Sequence, residues 1–455
     1  MYICKNFNYS SVLNLSISKK TILLVALPII LESLAQNILN FTDTAFMGRI
    51  GEINLGAAAI GSLFYFVFIM IAFGLGVGAQ IIIARRYGEG NLKMTGKTLL
   101  QIQYLMLFFA IIVFSVSRFF LPEVLNSIVS SDAVREKAFE YLSFRLYGFI
   151  PAFLNASFRS FYVGIARTRV ITYTTIIMTT VNIILNYLLI FGAYGFPELG
   201  IAGAAIASVI SETCALLYFF LYTRFKVDNK KYNLFRLTRP NFPLIKRILK
   251  IASPLMLQHF ISLACWFSFF LLIEKMGETE LAVSNIIRSL YILICLPIWG
   301  FSAVTNTFVS QLIGKGKTDQ VMKMIPKVLS ICMPITLALS SLLAFFARPV
   351  LHVLTNDPML IEQALPVFYV ILGATPFFAL GVITFSVLTG TGKTVAVMII
   401  ELSILVVYVA YIWIVIKELH WSLPATWTVE YVYAILLGIV SFIYMKSGKW
   451  KKASV

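Results

Sequence analysis

Charge is scarce in this chain. Only 13% of its 455 residues are Asp, Glu, Lys or Arg, against about 25% in a soluble globular domain. That shortage excludes most soluble enzymes and binding modules. The cysteines Cys4, Cys214, Cys265, Cys295 and Cys332 stand alone, with no CxxC pair. Neither a metal cluster nor a disulfide framework is supported. No phosphate-binding GxxxxGK[ST] loop is present. GTGKT at 390–394 resembles its tail but lacks the preceding spacing, which disfavours ATP-driven work by this chain alone. The start, MYICKNFNYSSVLNLSISKK, lacks the apolar core and cleavage site of a signal peptide. Alternating ten-residue segments are absent, which excludes an outer-membrane barrel.

What is abundant is apolar: 59% of the residues are hydrophobic and 14% aromatic, 38 of them Phe. A helix that crosses a bilayer needs about 20 mostly apolar residues. Twelve such runs are predicted: 21–46, 54–84, 98–120, 139–163, 169–192, 200–223, 247–273, 281–313, 325–347, 364–388, 394–416 and 424–445. Pro28, Pro151, Pro254, Pro297, Pro334 and Pro376 fall inside them. Membrane bundles tolerate such breakers because neighbouring helices satisfy the freed backbone groups.

The net charge of +17 would suggest nucleic acid in a soluble protein. Here it follows topology. Of the 37 basic residues, 28 fall on one side of the predicted spans and 7 on the other, with Arg145 and Arg288 inside spans. The positive-inside rule places the rich side, and both termini, in the cytoplasm. The expected surroundings are the lipid of a cytoplasmic membrane, crossed many times, with no nucleic-acid partner.

The chain also repeats itself. Residues 20–91 align without a gap on residues 246–317, an offset of 226. Pro28 meets Pro254, Gly51-Glu52 meets Gly277-Glu278, Gly74 meets Gly300, and GEGN at 88–91 meets GKGK at 314–317. Six spans per repeat return the chain to its starting side, so the halves run parallel. That is a transporter plan with the site between two halves that rock. The expected fold is an all-α polytopic membrane protein with twelve transmembrane helices in two parallel six-helix bundles. Its parts are a cytoplasmic tail 1–20, a first bundle 21–223, a basic linker 224–246, a second bundle 247–445 and a cytoplasmic tail 446–455.

LPIILESLAQNILNFTDTAFMGRIGEINLGAAAIG in spans 1–2 resembles the opening of MATE (multidrug and toxic compound extrusion) transporters. So do the GxG turns after spans 2 and 8, NIILNYLLIFG in span 5 and GIAGAAIAS in span 6. The resemblance covers essentially the whole chain. It implies efflux of small organic cations against inward protons or sodium, with two lobes alternating in access and no further cofactor. It also implies a coupling aspartate in span 1, matched by Asp43, and an Asn-x-x-x-Asp pair in span 5. Asn182 matches the first member of that pair, and Asn186 replaces the second. Sodium-coupled members carry a glutamate in span 7 and an aspartate in span 10. This chain has Ser262 at the first place and Phe378 or Ala379 at the second. Those losses favour the proton, with sodium at Asp43, Asn182 and Asn186 as the alternative.

Five acids fall well inside spans: Glu32, Asp43, Glu212, Glu401 and Glu430. A carboxylate in the apolar layer is costly and faces the bundle interior or water. Glu32, Gln36, Asn40 and Asp43 share one face of span 1, with Glu32 and Asp43 about 16 Å apart along the axis. Asp43 either couples ions or caps span 1 beside Arg49. Glu32 either takes part or is a solvated acid near the mouth. Asn182 and Asn186 lie one turn apart, where they either ligate a cation or glue helices. Ser208 in span 6 is a further member of that candidate cluster. Glu212 and Glu430 either form structural bonds or pass cations. Glu401 either attracts cationic substrate or pairs with a base such as Arg288. His259 and Gln258 are polar candidates in span 7. Tyr65, Phe153, Trp266 and Tyr291 are candidate wall residues of a substrate chamber, through stacking and cation–π contacts. A monomer is expected. Lipid-linked oligosaccharide flippases of the same superfamily are the rival reading. They would need a basic cavity, and with Arg159 assigned to the turn between spans 4 and 5, Arg145 and Arg288 are the only bases assigned to span interiors.

Overall fold

A computed structural model describes residues 17–452. Cys4, Lys5 and most of the expected N-terminal tail lie outside the described residues, as do residues 453–455. Among the described residues the chain is helical throughout, with no strand.

The first lobe is built from α1 (Lys19–Arg49), α2 (Glu52–Gly88), α3 (Leu92–Ile128), α4 (Asp132–Arg145), α5 (Phe149–Gly164), α6 (Arg169–Phe191) and α7 (Gly200–Lys226). The short α8 (Asn229–Tyr232) lies in the linker. The second lobe holds α9 (Phe242–Glu274), α10 (Glu278–Gly314), α11 (Met324–Phe345), α12 (Ala347–His352), α13 (Pro358–Gly390), α14 (Thr394–Trp413), α15 (Leu423–Trp427) and α16 (Val429–Lys446). Eleven of the helical stretches are long and apolar enough to cross a membrane.

The predicted span 139–163 is the exception. It begins earlier, at Asp132, and passes from α4 to α5 through one tightened helical turn at Leu146–Gly148, where the backbone keeps right-handed helical dihedrals. Pro151 supplies the reason: it has no N–H to give to the carbonyl four residues back, which is that of Tyr147. The predicted twelfth span is likewise two pieces, α15 and α16.

Polar residues set several helix starts. Ser18 Oγ accepts from the Thr21 N–H, Asn91 Oδ1 from that of Met94, and Asn241 Oδ1 from that of Leu244. Each satisfies one of the orphan donors of a first helical turn. Side chains such as Phe41, Phe119 and Val406 stay outside, at least 70% exposed. A lipid-facing surface accepts that exposure.

Helices α2 and α10 both have 37 residues, and the second starts 226 positions after the first. They cross at their C-terminal ends, where the lobes meet. A Cβ on Gly88 would collide with the Gln311 carbonyl oxygen, and one on Gly314 with that of Arg85. Glycine is therefore required for the approach. Arg85 Nη2 donates to the Thr391 carbonyl at 2.6 Å. Gln311, which is 226 positions after Arg85, donates from Nε2 to the Gly164 carbonyl at 2.8 Å. Gln80 adds bonds to the Thr307 hydroxyl and the Ala303 carbonyl at 2.9 and 3.1 Å. The two lobes are thus clasped at the end of α2 and α10 that carries Gly88 and Gly314.

Candidate functional site

In the first lobe, α1, α6 and α7 bring four of the expected residues into one chain of hydrogen bonds. Asn186 Nδ2 donates to Asp43 Oδ1 at 2.5 Å and to Asn182 Oδ1 at 2.9 Å. Asn182 Nδ2 donates in turn to Ser208 Oγ at 3.3 Å. Both asparagines are fully buried, whereas Asp43 is half-buried. The local reason is helical spacing: residues 182 and 186 stack on one face of α6. The small residues Gly203, Ala204, Ala205 and Ala207 let α7 lie close against α6. Asn186 Oδ1 is buried with no partner, so the amide beside Asp43 keeps an acceptor in reserve.

The other polar residues of α1 sit elsewhere. Gln36 bonds Asn40 at 3.4 Å and does not reach the cluster. Glu32 accepts from Arg159 Nε and Nη2 at 2.7 and 3.1 Å. Arg159 belongs to α5 rather than to a connecting loop, so Glu32 is not a freely solvated acid.

A second charged pair lies at the tightened turn between α4 and α5. Arg145 donates to both Glu212 oxygens, at 2.6 and 3.1 Å. Tyr65 donates its hydroxyl to Glu212 at 3.2 Å, and the guanidinium lies 3.6 Å from the centre of the Tyr65 ring. Gly148 makes room, since a Cβ there would meet Arg145 Nη1 and Glu212 Oε2. Tyr65 is therefore a partner of a fixed ion pair rather than an open wall residue.

In the second lobe the acids find neutral partners. Glu401 accepts from Gln258 at 2.9 Å, Ser262 at 2.8 Å and Tyr433 at 3.2 Å. Of the two readings of Glu401, the pairing with Arg288 is not made: Arg288 lies 5.2 Å from the Phe270 ring centre instead. Glu430 accepts from Tyr291 at 2.7 Å and Tyr408 at 3.2 Å. Tyr291 is thus a buried donor. Phe153 is fully buried against Phe149 and belongs to the core rather than to a chamber wall. Trp266 is half-buried, edge-on to Phe270. His259 packs edge-on against Phe73 of α2, 5.1 Å between ring centres.

A structural bond was one of the two readings of Glu212, but the arginine partner of neither Glu212 nor Glu32 was named from the sequence. A signal was available for both: Glu32, Arg145, Arg159 and Glu212 all fall within the bounds of predicted spans, and charges there tend to pair. Among the described residues, no group of three or more His, Cys, Asp or Glu side chains is placed to hold a metal ion.

Comparison with known proteins follows the same geometry. A sequence profile of the MatE family matches residues 28–188 and 254–414. A probable multidrug resistance protein NorM from Thermotoga maritima is 26% identical over 446 residues, covering 96% of this chain and 94% of that protein. One from Bacillus anthracis is 28% identical over 264 residues, 58% of each chain. Among solved structures, an outward-facing multidrug resistance MATE transporter of the MOP superfamily superposes with a TM-score of 0.90 at 20% identity. It covers 99% of this chain and 100% of its own. A MOP superfamily transporter from Pyrococcus furiosus, its binding pocket described as of reverse polarity, gives 0.87 at 20% identity over 99% and 100% of the two chains. These structures share the two-lobed fold.

Proposed function

The chain belongs to the MatE family and is a multi-pass membrane transporter, not an enzyme; on that premise we propose that it exports small organic cations in exchange for inward protons. The observation that carries the reading is Asp43: a half-buried carboxyl group in a spanning helix whose hydrogen-bond partner is a neutral amide, Asn186. Among the described residues no fixed positive charge bonds to it, so a mobile one can. An amide also suits both states of the acid. Its N–H donates to the carboxylate, and its oxygen accepts from the protonated form after a half-turn of the amide. The unpartnered Asn186 Oδ1 supplies that second option.

In the proposed cycle, Asp43 is ionised when the organic cation enters from the cytoplasm. Protonation from outside then removes the charge and weakens substrate binding. Linkage requires the converse: substrate weakens proton binding by the same factor. The positive-inside assignment puts the clasped ends of α2 and α10 on the cytoplasmic side. On that reading the two lobes are closed toward the cytoplasm and both termini lie there, in a cytoplasmic membrane. The chain acts as a monomer. Sodium is the alternative coupling ion, held by Asp43, Asn182 and Asn186. The lipid-flippase alternative gains nothing from Arg145, whose fork is already filled by Glu212.

The test is transport by the purified protein in liposomes, with a fluorescent organic cation and either a proton or a sodium gradient. Proton antiport predicts movement with the first gradient alone. Movement with neither would sink antiport.

A further inference from the structure

The linker between the lobes is not a loose tether. Tyr104 of α3 donates its hydroxyl to the Thr238 carbonyl at 3.0 Å, and Gln101 of α3 accepts from the Asn241 N–H at 2.7 Å. The Tyr232 carbonyl lies so close to Gly96 of α3 that a Cβ there would overlap it. Phe235 is edge-on to Phe220 of α7, 5.1 Å between ring centres. The linker is thereby held on the first lobe, and it leads directly into α9, the first helix of the second.

Its chemistry is one-sided. Nine of the 27 residues from Arg224 to Lys250 are Lys or Arg, and the single acid among them is Asp228. That carboxylate is engaged at the start of α8, where it accepts from the Lys231 N–H at 3.0 Å. Among the described residues none of the nine bases forms an ion pair. Large apolar side chains stand beside them: Phe225, Leu237 and Phe242 are 74%, 80% and 75% exposed. On α9, Phe242, Lys246 and Lys250 are one turn apart and share an exposed face. The same face continues in steps of three and four residues through Ser253 to the exposed Leu257 and Phe260. It is basic near the helix start and apolar from Leu257 on. Beside it, Phe242, Pro243, Ile245, Lys246 and Leu249 line a groove of about 580 Å³.

A helix leaving a bilayer passes from acyl chains to charged headgroups, and this face makes the same passage. Bases clustered beside a spanning helix attract anionic headgroups. Bases alone would be satisfied by water or free phosphate, and a groove alone by any lipid. Together they match an amphiphile with a negative head. We propose that Arg239, Lys246 and Lys250 hold the headgroup of an anionic glycerophospholipid, one acyl chain of which lies in the groove of Phe242, Ile245 and Leu249 and runs on along Leu257. The bound lipid joins the linker, fixed on the first lobe, to the first helix of the second. The surface is preformed, so binding does not have to order a loose segment. It lies at headgroup level whichever way the chain is oriented. The proposal therefore rests on the chain crossing the membrane and not on cation antiport.

The experiment uses the full chain in phosphatidylcholine vesicles, without substrate or gradient. A small fraction of the lipid is phosphatidylglycerol with a photoreactive diazirine on one acyl chain, and cross-linked peptides are mapped by mass spectrometry. The label is expected to concentrate on residues 242–257, and to spread evenly over the spans when the photoreactive lipid is phosphatidylcholine. Lys246→Gln is expected to reduce the label there about fivefold, its combination with Lys250→Gln to reduce it further, and Lys246→Arg to keep it. Phe242→Ser with Leu249→Ser retains every base and is also expected to reduce it. Label on α14, where the exposed Val406 marks an ordinary lipid-facing surface, reports the folding of each variant. Equal labelling of residues 242–257 by the two lipids would overturn the proposal. So would an undiminished label in the double glutamine variant. Displacement of the label by inorganic phosphate at constant ionic strength would show that the bases bind any phosphate anion, and would overturn the assignment to lipid.

Discussion

Replacing Glu212 by alanine leaves the Arg145 guanidinium in the apolar layer without its counter-charge. The pair is well enclosed, with side-chain exposures of 11% and 14%. Two charge-assisted hydrogen bonds are lost, at 2.6 and 3.1 Å, each worth about 1.5–3 kcal/mol. Breaking one partner of a buried ion pair costs about 3–5 kcal/mol. Because the enclosure is incomplete, the lower end is expected, about 3 kcal/mol. A control lies in the same protein. Arg348 and Glu362 are paired at 2.6 Å but are 63% and 57% exposed, so Glu362→Ala is expected to cost less than about 1 kcal/mol. Replacing both Arg145 and Glu212 by methionine removes the orphaned charge and is expected to recover most of the loss. The assay is thermal unfolding of the purified protein in one detergent, followed by the monodisperse fraction that survives heating. Equal shifts for Glu212→Ala and Glu362→Ala would refute the reasoning. So would a double methionine variant no more stable than Glu212→Ala alone.

Gly148→Ala places a methyl group against Arg145 Nη1 and Glu212 Oε2, and a loss of about 1–3 kcal/mol is expected from overpacking; the same melt measures it. Arg85→Met removes a donor from the interlobe clasp. Faster hydrogen exchange is expected around residues 80–90 and 305–315, and unchanged exchange would deny the clasp its role. Asn182→Leu leaves Asn186 and Ser208 short of a partner, at about 1–3 kcal/mol. It is expected to slow transport more than Gln36→Leu, because Gln36 bonds only Asn40, and paired uptake assays decide this.

The membrane fold was legible because lipid imposes a length and a composition on every crossing segment. Residues 54–84 and 281–313 read as spans and are the inner parts of α2 and α10. The tightened turn at Leu146–Gly148 was harder to see. Proline is tolerated in so many spanning helices, Pro28 and Pro254 among them, that Pro151 alone gave no warning. Part of the candidate site was legible too. Asp43, Asn182, Asn186 and Ser208 stood out as polar residues in apolar runs, and α1, α6 and α7 bring them together. Partners were not legible. Glu401 meets Gln258, Ser262 and Tyr433 rather than Arg288, and Glu32 meets Arg159. Those meetings depend on how helices distant in sequence face one another, and hydropathy carries no information on that. Aromatic wall residues were the weakest choice, because a Phe or Tyr in a span fills the bundle as readily as it lines a chamber.

Coupling at Asp43 is tested most directly by Asp43→Asn in proteoliposomes loaded with a fluorescent organic cation. Asparagine keeps the shape of the side chain and removes the exchangeable charge. Substrate movement driven by an imposed proton gradient is predicted to disappear, while passive exchange of substrate between the two sides continues. Gradient-driven movement at the wild-type rate would contradict it.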